Sequence, residues 1–446
     1  MELDSLSQPD LEQIERMGSA DVVVGVLDLE PLEEGTTAVA ITREALAGFT
    51  TPLRAMVVCG NPASNGTHGP VTATLEVPPE APQSEIPSPE ASKNGQSLTV
   101  FSCGLPPASQ VKSTQQSISG AYRSVFVVAG KLGVRACGVI ASRPQAVTHH
   151  WIYRLIQPVV DLGFDLVAPC YTRQKMEGLL NRSVLSPLHG ALYGERLQNP
   201  MGPDFGLSGK LLQKILRQDA SRRGVEVNTL ASIASAAASG GFQVCESHLG
   251  VRTQHPTDWG NLSSLLAEVL GATFLEVEAR ATQWQSIRGS KSVPRFGVAE
   301  APPSDIAALQ DSAQEPSADI HGMVESFHLG TQNLQDVWSL ILPPANLLEL
   351  RRLSRLPEDQ FRLPDHLWAR IVYDFALGYR LRTISRDHLL RSITPLYLGW
   401  IASYTLEMQT AGPGEVDSRI ERLSKAFEDN KSYLVSRWRW PDRFNP

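Results

Sequence analysis

The sequence predicts an α/β fold, and three observations carry that reading. Residues 21–27 (DVVVGVL) are an unbroken, mostly β-branched apolar run, as in a strand buried on both faces of a parallel sheet. A second such run, residues 53–59 (LRAMVVC), follows a helical pattern over 37–49 in which Val39, Ile41, Leu46 and Ala47 are apolar. A third, residues 135–140 (RACGVI), again follows a helical pattern, over 120–132. Strand–helix–strand alternation of this kind builds a sheet with helices on its faces.

The remaining elements follow in order. Between the second and third runs, residues 61–119 hold nine prolines among many Ser, Thr and Gly and read as a flexible surface insertion. Within it, 71–77 and 98–101 are candidate short strands. A helix over 151–160 leads to a short strand, Leu166-Val167-Ala168, stopped by Pro169. Helices are expected over 211–217, 230–239 and 262–277, and a strand at 242–245. Residues 295–320 are polar, carry Pro302-Pro303 and read as exposed linker. Beyond them Pro364-Asp365 opens a helix with Leu367, Trp368, Ile371, Val372, Phe375 and Tyr379 on one face, and two more helices cover 389–408 and 418–434. The expected organisation is an α/β domain over 1–296, a linker over 297–316 and a helical region over 317–446.

Composition bounds the function. The chain has 446 residues, 42% hydrophobic and 20% charged, with a net charge of −7, so it is globular and has no global attraction for nucleic acid or an anionic membrane. Five scattered cysteines (Cys59, Cys103, Cys137, Cys170, Cys245) form no CxxC pair, which argues against a zinc site or disulfide framework and for a reducing cytoplasm. The acidic N-terminus lacks a signal-peptide pattern, and no apolar run is of membrane-spanning composition.

Chemistry concentrates in residues 165–210, DLVAPCYTRQKMEGLLNRSVLSPLHGALYGERLQNPMGPDFGLSGK. A strand end is followed by Arg173, Lys175 and Asn181, then a Pro-started helix, then a Gly/Pro loop around Asp204. Cations and an acid on loops at strand ends suit an anionic or polyhydroxylated small molecule. The same residues also fit a plain surface loop: Asp204 as a turn residue, Asn199 and Ser208 as turn and cap residues, His149-His150 as a first-turn surface pair, Cys170 as strand-end core.

These residues resemble bacterial retaining glycosyltransferases of the GT-A fold, of the mannosylglycerate synthase and glucosyl-3-phosphoglycerate synthase type. The resemblance is carried by Pro169-x-Tyr171-x-Arg173-x-Lys175, Asn181, Pro187-Leu188, Ala191-Leu192-Tyr193-Gly194, Pro200-x-Gly202-x-Asp204-Phe205-Gly206 and Leu249-Gly250. It implies a Rossmann-like GT-A domain with a mostly helical C-terminal region, and transfer of a sugar from a nucleotide diphosphate to a small acidic acceptor. It also implies roles: Asp204 catalytic, and Tyr171, Arg173, Lys175, Asn181, Asn199 and Gly202 substrate-binding.

The chain departs from that family on the donor side. Where the third strand should end in Asp-Ser-Asp for Mg²⁺ or Mn²⁺, it has Ala141-Ser142-Arg143; a guanidinium meets phosphate but cannot chelate a cation. The nucleotide turn after the first strand is Leu27-Asp28-Leu29-Glu30-Pro31, and the turn after the second is Gly60-Asn61-Pro62-Ala63-Ser64-Asn65-Gly66-Thr67. The metal-binding His falls at Gln254, with His255 one residue late and open as a ligand through a loop shift. The expectation is a bacterial, cytoplasmic glycosyltransferase-family protein with reduced or lost metal-dependent catalysis, with no cofactor unless the altered site still binds Mg²⁺ or Mn²⁺. The alternatives are an active, metal-independent transferase, or a non-catalytic structural or regulatory partner of an active paralogue. A small acidic or sugar-like molecule and a homo-oligomer complete the expected partners.

Overall fold

The computed structural model describes residues 14, 18–27, 35–51, 53–61, 98–104, 114–141, 147–221, 229–251, 261–297, 319–409 and 411–441. In chain order its elements are β1 (Val22–Val26), α1 (Gly35–Ala47), β2 (Ala55–Asn61), β3 (Leu98–Gly104), α2 (Thr114–Leu132), β4 (Ala136–Ile140), α3 (His149–Val160) and β5 (Leu166–Thr172). A π-turn (Asn181–Leu185) then runs into α4 (Ser186–Tyr193), followed by β6 (Glu195–Arg196), β7 (Phe205–Ser208), α5 (Gly209–Ser221), α6 (Thr229–Gly240) and β8 (Val244–Val251). Next come α7 (Leu262–Ala279), α8 (Ala281–Trp284), β9 (Lys291–Ser292), β10 (Arg295–Phe296), α9 (Ile320–Asn333), α10 (Gln335–Ser339) and α11 (Pro344–Leu353). The last helices are α12 (Asp365–Leu381), α13 (Arg386–Ser392), α14 (Thr394–Met408), α15 (Pro413–Asp429) and α16 (Lys431–Arg439).

These elements form two compact units. The first comprises Met1–Tyr171, Gly202–Leu249 and Pro294–Ala299; the second comprises Thr172–Met201, Gly250–Val293 and Glu300–Pro446. The division runs through the expected α/β domain: the helix predicted at 262–277 belongs to the second unit, where it packs as α7 against α12 and α13.

The first unit is the expected α/β layer structure. Its eight-stranded sheet has the order β10-β8-β5-β7-β4-β1-β2-β3. β1 pairs in parallel with β2 and β4, and β2 with β3. Val22, Val24 and Val26 face a core with Trp151, Ile152, Leu155, Ile156 and Val159 of α3. On the other face Gly25 lies against Val125 of α2, with no room for a Cβ. Burial on both faces is why β1 reads as an unbroken apolar run.

The candidate strand at 98–101 is β3, which runs on to Gly104 and forms the sheet edge. Three details differ from the sequence expectations. β10 lies inside the expected linker and pairs in parallel with β8. β5 runs through Pro169 to Thr172; its ladder with β7 covers only Leu166 and Val167, so the proline lies beyond those rungs. Finally, Phe205-Gly206, expected in a loop, begins β7, which runs antiparallel between β4 and β5.

β7 fits there because of glycine. A Cβ on Gly206 lies 2.0 Å from the Leu155 carbonyl oxygen of α3, and one on Gly209 lies 2.1 Å from that of Val134. Both are backbone atoms, so neither can swing aside. Ser208 then starts α5: its Oγ accepts the Leu211 amide at 3.2 Å and donates to Asp165 Oδ1 at 2.7 Å.

The second unit is helical, with the small β6–β9 pair. Its core holds fully buried Trp284, Trp338, Trp368 and Trp400. The helix expected over 389–408 is two, because Pro395 opens α14; that over 418–434 breaks at Asn430, whose Nδ2 donates to the Ala426 carbonyl at 2.8 Å. The tail packs through Trp438, edge-on to Trp284 at 5.2 Å and under Arg380 at 4.6 Å. At the centre, Asp374 pairs with Arg437 at 3.0 Å and accepts from Tyr433 Oη at 2.7 Å and Asn346 Nδ2 at 2.9 Å. Burial pushes its carboxyl up to about 7, against the opposing pull of those partners.

Gly206→Ala is expected to destabilise the protein by about 1–3 kcal/mol through overpacking, whereas Gly414→Ala, with open space around it, is neutral or stabilising by up to about 1 kcal/mol; thermal unfolding measures both. Asp374 carries a pH signature. Its folded value lies above the unfolded one, so the folded chain holds the extra proton. Its contribution is therefore full below about pH 4 and lost as pH rises to about 7. The stability difference between wild type and Asp374→Asn, from urea unfolding, is expected to fall over that window.

Candidate functional site

Asp204 is the centre of the candidate site in the first unit. It sits immediately before β7, is fully buried, and lies at the C-terminal ends of β4 and β5 because β7 runs opposite to both. Its Oδ1 accepts the Ala141 amide, just past β4, at 2.9 Å. Its Oδ2 accepts the hydroxyl of Tyr171, at the end of β5. One carboxylate thus ties two strand ends together. The loop before it is pinned as well: Tyr122 donates to the Pro203 carbonyl at 2.9 Å and stacks on Phe205 at 5.6 Å. Tyr171 packs against Trp151 of α3 at 5.7 Å. Gly202, also buried, belongs to this loop.

Burial, followed by Glu246, pushes the Cys170 thiol up to about 12, so it is no nucleophile at neutral pH. Glu246, itself buried, pairs with Arg295 at 2.8 Å. His149 and His150 stack in the first turn of α3, His149 pairs with Glu44 at 3.1 Å, and burial with the neighbouring His149 lowers His150.

A divalent cation does not fit the described residues at this strand end. The side chain of Ala141 offers no donor atom, and both oxygens of Asp204 already accept hydrogen bonds from the protein. Among the described residues there is no group of three His, Cys, Asp or Glu able to hold a metal. Ser142, Arg143 and His255 lie outside the described residues, as do the turns at 28–31 and 62–67.

The other expected site residues belong to the second unit. Arg173 lies under Gly178, whose φ of +64° and the 2.1 Å approach of Arg173 Nη1 to any Cβ there favour glycine. Lys175 donates from Nζ to the Gln409 carbonyl at 3.1 Å. Its own carbonyl accepts Tyr404 Oη at 2.9 Å and Arg182 Nη1 at 3.0 Å. Asn181 opens the π-turn, a distortion that often marks functional helices; among the described residues its Oδ1 has no hydrogen-bond partner. Asn199 is buried. The structure therefore brings Tyr171, Asp204 and Ala141 together in one unit, and Arg173, Lys175 and Asn181 along one short segment of the other.

Sequence reasoning missed the pairings rather than the residues. Tyr171 and Asp204 were each singled out, but as ligand-binding groups, not as partners. Arg182 adjoins Asn181 and was visible; Tyr404 is 229 residues from Lys175 and left no local signal.

No known family model matches the chain, and no curated protein sequence matches it. Solved structures similar to it include glucosyl-3-phosphoglycerate synthase from Mycobacterium tuberculosis in complex with Mn²⁺, UDP and phosphoglyceric acid, at 12% identity, 60% of this chain, 81% of that chain and a TM-score of 0.33. The same enzyme with Mg²⁺ and UDP is similar at 13% identity, over 67% of this chain and 95% of that one, with a TM-score of 0.33. A mycobacterial protein is similar at 14% identity, over 60% and 78% of the two chains, with a TM-score of 0.33. Overlap this low does not establish a shared fold, so the reading below rests on this chain's own residues. No described helix is long and apolar enough to cross a membrane.

Tyr171→Phe leaves Asp204 Oδ2 buried without its hydroxyl donor and is expected to cost about 1–3 kcal/mol, read as a lower urea midpoint; an unchanged midpoint contradicts the pairing.

Proposed function

We propose that the chain is a GT-A-type glycosyltransferase relative whose metal-dependent sugar transfer is lost or strongly reduced. The observation that carries this is the engagement of Asp204. The carboxylate at the ends of β4 and β5 is fully buried and holds Ala141 and Tyr171, so it serves as a brace between strands. Ala141-Ser142-Arg143 stands where the resembling enzymes carry metal-binding acids. Sugar transfer from a nucleotide diphosphate needs charge stabilisation on the leaving group, and these residues do not hold a cation for it. The mixed sheet with one internal antiparallel strand agrees with the lineage, as do the motifs at 169–175 and 200–206.

In this reading Arg173, Lys175 and Asn181 are the groups that meet a small acidic ligand such as a glycerate or phosphoglycerate. Arg173 supplies a bidentate donor set and Lys175 a point charge. Lys175 exchanges its contact with the Gln409 carbonyl for the ligand.

Thermal unfolding with UDP-glucose or GDP-mannose, each with and without Mn²⁺, and with 3-phosphoglycerate alone, tests the proposal. The expected result is no metal-dependent rise in Tm with either sugar nucleotide and a rise with the acid. A metal-dependent rise overturns it; transfer of the sugar to 3-phosphoglycerate in the absence of metal favours an active, metal-independent transferase.

A further inference from the structure

We propose that the first unit carries a separate site for an organic polyphosphate bearing an aromatic ring, in a groove at the end of the sheet opposite Asp204. A cavity of about 740 Å³ lies there, lined among others by Arg135, Phe164, Lys210, Lys214, Arg217 and Phe242. That volume is in the range of small-molecule sites.

The cations are arranged rather than scattered. Lys210, Lys214 and Arg217 follow one another at i, i+4 and i+7 along α5, one stripe roughly 10 Å long. Like charges at this spacing oppose helix formation, and among the described residues none of the three has an acidic partner. Arg135 faces the groove from the segment entering β4, where its guanidinium makes a long 3.4 Å contact with the Val160 carbonyl and also attracts the Asp21 carboxylate. The one acid of the lining, Asp165, is already engaged by the Ser208 hydroxyl at 2.7 Å and the Gln243 amide at 3.1 Å. Four cations therefore converge on a concave surface of a chain whose net charge is −7. A linear polyphosphate matches a stripe of that length and relieves its self-repulsion.

The two half-buried phenylalanines define the rest of the ligand. Phe164 and Phe242 add apolar ring faces to the cationic lining, which suits a planar base more than inorganic phosphate alone. A concave site of this size also excludes a nucleic-acid duplex, which needs an extended basic face. Because Arg135 precedes β4 and Ala141 follows it, the strand separates this groove from Asp204 by roughly 17 Å. One ligand cannot occupy both, so the inference stands whether or not the proposed function does.

Isothermal titration of the full chain in EDTA with ATP, inorganic tripolyphosphate and adenosine tests it. ATP is expected to bind, tripolyphosphate to bind more weakly, and adenosine to give no heat. Raising the salt concentration is expected to weaken the ATP interaction. The double variant Lys214→Glu/Arg217→Glu is expected to lower ATP affinity by about tenfold or more, and Lys214→Gln by a smaller factor should the double variant fail to fold. Absence of ATP binding, or binding unchanged in the charge variants, overturns the proposal.

Discussion

The first unit depends on one short antiparallel strand. β7 is only four residues long, yet it fills the gap between β4 and β5, and without it the sheet parts into two pieces. It fits because Gly206 and Gly209 let its backbone approach the Leu155 and Val134 carbonyls closely. Running against its neighbours, it delivers Asp204 to the strand ends where the sheet's loops gather. Asp204 then closes the arrangement by bonding to the ends of both flanking strands. Close packing and the polar network are one device: the glycines set the backbone, and the carboxylate locks the strands around it.

That device explains what could be read from the residues alone. β1, β2 and β4 announce themselves because burial on both faces demands uninterrupted apolar runs. α12 announces itself through its buried apolar positions and its Pro-Asp start. β7 does not, because four residues containing glycine carry neither a period nor a propensity. The unit to which α7 belongs is hard to read for a related reason: nothing in its own sequence says whether its apolar residues meet the sheet or the C-terminal helices. The residues of the candidate site were legible because Arg, Lys, Tyr and Asp near Gly and Pro are conspicuous. Their partners were not, since Asp204 meets Ala141 across 63 residues and Lys175 meets Tyr404 across 229.

The functional reading follows from what Asp204 does with its two oxygens. In the proposed reading, a carboxylate that accepts a backbone amide and a tyrosine hydroxyl in a dry interior holds strands together and does not ligate a cation or take a proton from substrate. Ala141 adds a methyl group where a metal site needs oxygen. The cationic residues of the second unit and the basic groove beside α5 are different surfaces on different units, and each offers charge to an anion without help from a metal. In the proposed reading, the chain meets anions on these surfaces, while the strand end nearest Asp204 serves as structure.

The most direct test of this account is a Mn²⁺ electron paramagnetic resonance titration, with saturating UDP, of the full chain carrying Lys214→Gln and Arg217→Gln, which silence the groove beside α5. The account predicts that the protein leaves the free Mn²⁺ signal of the metal–UDP mixture unchanged. Loss of one equivalent of that signal on adding the chain contradicts it.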